Sequence, residues 1–157
     1  MNVSTEAPDG IRKAESDLAA ARWLTDSDQA LPDQAGFFCQ QAAEKYLKAF
    51  LIACDQVPPQ THDIAVLVDL GATVDPAYDQ LQSQVEGRTE FAVIFRYPDA
   101  WSDEEAAFQS LDQVERVRVF VRLKLGLPVA RRSIRSSAPR STGIGMIAGG
   151  PVLFDAD

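Results

Sequence analysis

The chain is poor in the residues that carry metal and redox chemistry. Its 157 residues include one histidine, His62, two cysteines, Cys39 and Cys54, and two methionines. The cysteines lie fifteen positions apart in one stretch of helical periodicity, or about 22 Å along a helix. A disulfide tolerates only roughly 4.4–6.8 Å between Cα atoms. They therefore read as small apolar groups of a reducing compartment. One histidine and two distant cysteines offer no ligand spacing, so no metal and no other cofactor is expected. Also missing are any run of 18 apolar residues, which a membrane-spanning helix needs, and a basic, apolar leader in the opening MNVSTEAPDG. A cytoplasmic protein that does not enter membranes is expected.

Positive charge is scarce too, at 15 Lys and Arg against 23 Asp and Glu, a net charge of −8. The imbalance is uneven. Residues 1–128 carry 11 basic against 21 acidic side chains, a balance of −10, whereas residues 129–157 carry four Arg against two Asp, a balance of +2. An acidic body excludes broad, sequence-independent duplex binding, which needs a basic footprint. A small local phosphate site remains open. Charged residues at 24% and apolar residues at 46% are ordinary for one globular domain of this length.

What is present is centred on Phe37–Cys54, FFCQQAAEKYLKAFLIAC. Phe38, Ala42, Tyr46, Ala49 and Ala53 recur at spacings of three and four. Ala43, Leu47, Phe50, Leu51 and Cys54 form a second row beside them. A helix apolar over so wide an arc must be covered on several sides, so it reads as the central helix of a bundle. Gln40, Gln41, Glu44, Lys45 and Lys48 interrupt the apolar surface, and this polar strip is either a solvated edge or a site.

The rest of the chain supplies partners for that helix. Residues 1–8 read as a loose arm, and Asp9-Gly10 opens a first helix with Ile11, Ala14, Leu18, Ala21 and Leu24 inward and Trp23 widening the apolar side. Pro32 suits the first turn of the central helix. Val57-Pro58-Pro59 forces an extended connector. Thr61 reads as the N-cap of a short third helix, Ile64 to Leu70, stopped by Gly71. Asp75-Pro76 starts a fourth with Tyr78 on its buried side. Phe91–Phe95 has strand propensity but no partner strand, so an irregular passage ending at Arg96-Tyr97-Pro98 is expected. A capping box at Ser102–Glu105 launches a last helix with Ala107, Leu111, Val114, Val121 and Leu125 inward, closed by Gly126 and Pro128. The expectation is an all-α, up-and-down bundle of about five helices over residues 9–128, with a flexible Arg/Ser/Gly-rich tail at 129–157.

Four pieces in this order resemble the HEPN domain (higher eukaryotes and prokaryotes nucleotide-binding). They are the Ile11–Leu18 opening with Ala20-Ala21, the Phe38–Ala49 stretch, the Pro58–Ile64 connector, and Arg96-Tyr97-Pro98. The resemblance covers about residues 10–126. It implies a helical bundle that commonly forms homodimers and is often encoded beside a minimal nucleotidyltransferase, with which it pairs in toxin–antitoxin fashion. It also implies, for catalytically active members, metal-independent ribonuclease chemistry by an Arg followed four to six residues later by His. This chain departs from that pattern. No Arg lies four to six residues before His62, and no His follows Arg88, Arg96, Arg116, Arg118 or Arg122.

The candidate nucleotide- or RNA-binding residues are Lys45, Lys48, His62, Arg96 and Tyr97. His62 can serve as a base or can anchor the connector to a carboxylate. Lys45 and Lys48 can meet phosphate, or Lys48 can close an i,i+4 pair with Glu44. Arg96 and Tyr97 sit in a non-periodic loop, where Arg can grip phosphate bidentately or close a salt bridge. Arg116, Arg118 and Arg122 read as solvated surface. The functional expectation is a binding protein partnered by a nucleotidyltransferase. A ribonuclease centred on His62 and a non-catalytic scaffold are the alternatives.

Overall fold

The structure, a computed structural model, describes residues 3–27, 31–78 and 104–129. Four helices lie among the described residues: α1 (Val3–Asp26), α2 (Pro32–Ala53), α3 (Ile64–Val74) and α4 (Glu104–Lys124). The protein is an all-α bundle. The expected fourth helix beyond Tyr78, the 91–98 passage, Ser102-Asp103 and the tail from 130 fall outside the described residues.

α2 is the hub. Its buried residues, from Ala35 through Cys39, Ala42, Ala43, Tyr46 and Leu47 to Leu51, go round most of the helix, and α1, α3 and α4 all pack on it. Leu24 of α1 meets Ala35, while Gly10 lies against Ala49, so α1 runs antiparallel to α2. Arg22 reaches Glu115 and Glu15 reaches Arg118 and Arg122, so α1 is antiparallel to α4 as well. One apolar cluster joins Ile11, Leu18, Tyr46, Leu51, Leu67, Val117 and their neighbours.

Local chemistry sets the helix boundaries. Pro32 occupies the first position of α2, where its missing N–H leaves no bond unmade. At the other end Gln56 N–H bonds the Leu51 carbonyl and Asp55 N–H that of Ile52, a Schellman closure. It places Asp55 at φ 59, a conformation natural to glycine. Asp55→Gly should therefore stabilise the fold by about 0.5–1 kcal/mol, and a thermal melt showing no rise in Tm would contradict this. α4 closes the same way, with Gly126 at φ 64 and Leu127 N–H on the Arg122 carbonyl.

Several expectations are corrected. α1 begins at Val3 rather than at Asp9, because Ala7 is buried and extends the Ile11–Ala14–Leu18 stripe by a turn. Pro8 is accommodated on the exposed side at the loss of one helical N–H. The cap of α3 is Asp63, whose Oδ1 accepts from Ala65 N–H at 2.9 Å, while Thr61 Oγ1 accepts from Asp63 N–H at 3.0 Å. α3 passes through Gly71 and ends at Val74. Trp23 is 70% exposed and not part of the core.

Candidate functional site

The polar strip of α2 is not a solvated edge. Gln40, Gln41, Lys45 and Lys48 are half-buried, and Glu44 is buried at 7% exposure. An acid at that depth must be paired, since an isolated buried carboxylate is strongly disfavoured. Glu44 is paired through both oxygens. Oε1 accepts from Lys48 Nζ at 2.7 Å, one helical turn on, and Oε2 lies 3.0 Å from His62 Nδ1.

The connector delivers His62 to this position. The Schellman closure at Asp55 turns the chain off the end of α2, and Pro58-Pro59 keeps it extended. Thr61 N–H then bonds the Pro59 carbonyl at 2.9 Å, and the Thr61–Asp63 and Asp63–Ala65 bonds lock the entry to α3. The His62 side chain remains 84% exposed although one ring nitrogen is anchored. Lys48, Pro58, Pro59, Gln60, Thr61 and His62 line a groove of about 330 Å³, a small-ligand size. The groove wall thus combines residues that carry an ammonium, an imidazole, a hydroxyl and an amide with two prolines.

Of the five residues singled out in the sequence, Lys48 and His62 are brought together. Lys45 is not with them, because its ammonium reaches across to Asp17 of α1. Arg96 and Tyr97 lie outside the described residues. The residue that sequence reading treated only as half of a surface pair is Glu44. Its signal was an acid directly after Ala42-Ala43, beside the apolar row that Ala43 and Leu47 share.

A second polar cluster holds the bundle together. Arg118 Nε bonds both Glu15 oxygens at 2.9 and 3.0 Å, Arg122 Nη1 bonds Oε1 at 2.7 Å, and Arg122 Nε donates to the Pro128 carbonyl at 2.8 Å. The solvated reading of these arginines is overturned. Residues 118 and 122 share a face at i,i+4 spacing, and that face meets α1. Arg116 pairs with Asp112 in the open, as expected. Burial pushes the Cys39 thiol up to about 12, with the Glu115 charge adding to it, so it is not a nucleophile at neutral pH. Among the described residues no three His, Cys, Asp or Glu side chains gather to hold a metal, and no helix is long and apolar enough to cross a membrane.

The family model for the HEPN domain matches residues 7–124, three helices and a connector beyond the central one. The chain belongs to the HEPN domain family. No curated protein and no solved structure matches it. Membership supports a nucleotide- or RNA-related function in general. In this HEPN domain the matched span includes the Glu44–Lys48–His62 cluster and stops at the last residue of α4.

Proposed function

We propose that this HEPN domain is a binding module that presents the groove beside Lys48 and His62 to a nucleotide or RNA. The observation that carries the reading is the buried Glu44, which holds a cation and an imidazole side by side at the mouth of a ligand-sized groove. Lys48 then supplies a charge-assisted bond to phosphate. Arg96 and Tyr97 enter the proposal from the sequence pattern alone. We further propose that the domain acts as a homodimer and as the partner of a separately encoded minimal nucleotidyltransferase, in a toxin–antitoxin-like pair.

The self-association proposal draws on apolar surface that the chain leaves uncovered. Phe37 is the one large apolar side chain of α2 left mostly exposed. With Trp23 and Phe108, each at least half exposed, it lies where α1 ends and α2 and α4 begin. Trp23→Ser with Phe108→Ser should convert a dimer to a monomer in sedimentation, and a wild-type monomer at all concentrations would end the dimer proposal.

Binding of a labelled oligoribonucleotide tests the groove. Lys48→Gln should weaken it by about tenfold, the value of one charge-assisted hydrogen bond. Lys45→Gln should leave it unchanged, since that ammonium is committed to Asp17. Equal losses in both variants would point to general charge and against this groove. Co-purification with the neighbouring gene's product tests the partner.

The carboxylate on His62 Nδ1 favours a second reading, a metal-independent ribonuclease. It orients the ring and leaves Nε2 outward, as a general base requires. RNA cleavage in EDTA that disappears in His62→Gln would support it, and cleavage unaffected by that change would remove it.

A further inference from the structure

We propose that the groove selects a phosphate monoester, the terminal phosphate of a mononucleotide or of an RNA end, and binds it with uptake of one proton by His62. This rests on the reading of the groove as a nucleotide- or RNA-facing site and adds which phosphate is recognised.

Glu44 fixes the tautomer of His62. A carboxylate only accepts hydrogen bonds, so the 3.0 Å contact to His62 requires the ring proton on Nδ1. In the neutral ring the outward Nε2 then carries a lone pair and repels an anionic oxygen. A proton there converts that edge into a donor. Charge leads to the same place. With a neutral ring, Lys48 and Glu44 cancel and the cluster is neutral, whereas the imidazolium gives it a net positive charge facing the groove.

The donor count distinguishes a monoester from an internal diester. Lys48 Nζ spends one N–H on Glu44 and keeps two. Thr61 Oγ1 accepts from Asp63 N–H, which leaves its own proton free. Together with protonated Nε2, three different side chains on the groove wall can donate. A terminal phosphate offers three oxygens and close to two negative charges. A diester offers two free oxygens and one charge. Pro58 and Pro59 add apolar lining without backbone N–H groups beside these donors.

The charged groups around the ring are few. α2 contributes Glu44 and Lys48. The connector contributes Asp63, whose Oδ1 is engaged with Ala65 N–H. Among the described residues no other charged side chain is in salt-bridge contact with His62.

The test is calorimetric titration of the full chain with AMP between pH 5 and 8.5, in two buffers of different ionisation enthalpy. One proton should be taken up on binding. Toward alkaline pH, affinity should fall by up to tenfold per pH unit, the slope for one linked proton. Below about pH 6 it should fall again, as the phosphate gains its second proton. Adenosine and the methyl phosphate ester of AMP should bind at least tenfold more weakly than AMP. His62→Gln, a change at an exposed ring, should remove the alkaline decline. A 5′-phosphorylated oligoribonucleotide that outcompetes AMP identifies an RNA end as the source, and one that does not identifies the free nucleotide.

Methyl ester binding as tightly as AMP overturns the inference, as does an unchanged pH profile in His62→Gln. If AMP fails to bind while Lys48→Gln still weakens RNA binding, the monoester inference falls and the groove remains an RNA site. If neither ligand responds to Lys48→Gln, both readings fall together.

Discussion

Glu15→Ala is expected to lower the unfolding free energy by about 3 kcal/mol, measured by urea denaturation. The loss does not equal the worth of the bonds removed. Glu15 satisfies Arg118 through two hydrogen bonds and Arg122 through a third, and the two arginine side chains are only 10% and 15% exposed. Without the acid, two guanidinium groups of like charge face each other in a poorly solvated seam. Breaking a buried pair in this way costs about 3–5 kcal/mol. The 28% exposure of Glu15 moves the expectation to the low end of that range. Substituting leucine at both Glu15 and Arg118 should recover part of the loss, because one of the two uncompensated charges goes with the pair while Arg122 keeps only the Pro128 carbonyl. A single-variant loss below about 1 kcal/mol would mean that water already solvates the seam as at an exposed ion pair.

The same cluster sets an acid limit. Burial pushes the Glu15 carboxyl up, but the Arg118 hydrogen bonds, the Tyr46 hydroxyl facing it, and the Arg118 and Arg122 charges together hold it below its ordinary 4.5. The Tyr46 hydroxyl is fully buried and stands outside ordinary hydrogen-bond geometry, so the arginines supply the firm contacts. A native value below the unfolded one means that the unfolded chain binds the extra proton. This contribution is therefore complete above about 4.5 and is lost as the pH falls through the lower native value. Glu15→Ala should lose less stability than wild type over that window.

Tyr78→Ala is expected to cost a further large amount, about 3 kcal/mol, in the range for emptying an aromatic site. The Tyr78 ring is fully buried, 4.7 Å from Phe50 and 4.7 Å from Phe120 between ring centroids, with Gly71 beneath it. A Cβ on Gly71 would come within 2.5 Å of Cε1 and 2.7 Å of Cδ1. The ring is held between two other rings, so relieving the clash means repacking all three. Gly71→Ala should therefore destabilise by about 1–2 kcal/mol, although alanine is the better helix former by about 1 kcal/mol. In the Tyr78→Ala background the same change should become neutral or stabilising, because the clash is gone. Additive losses in the double variant would show that the ring does not fill this site.

Gly71 illustrates where sequence reading stops. As a chain symbol it resembled a helix terminus, since glycine favours that position. Its real reason is an aromatic ring seven residues on that needs the volume of a missing Cβ. Trp23 failed for a related reason. Periodicity assigned it to the apolar side of α1, but whether that side is covered depends on which helices arrive there. Arg118 and Arg122 read as surface because nothing local identifies Glu15, over a hundred residues earlier, as their partner.

What the sequence determined unaided is the set of properties that depend on neighbours within a turn or two. The breadth of the apolar arc on α2, the inward positions Ile11, Ala14, Leu18 and Ala21, the Pro32 start and the Gly126 stop follow from helical spacing and backbone sterics alone. Tertiary structure alone decided which charges meet across elements. Glu44 could have been the outer half of a solvated pair, and His62 a free side chain on a loop. They form one cluster because the connector folds back on α2 and withdraws Glu44 from water, after which an unpaired carboxylate is too costly to leave. Pairing across eighteen residues depends on that folding back, and no local pattern in the chain encodes it.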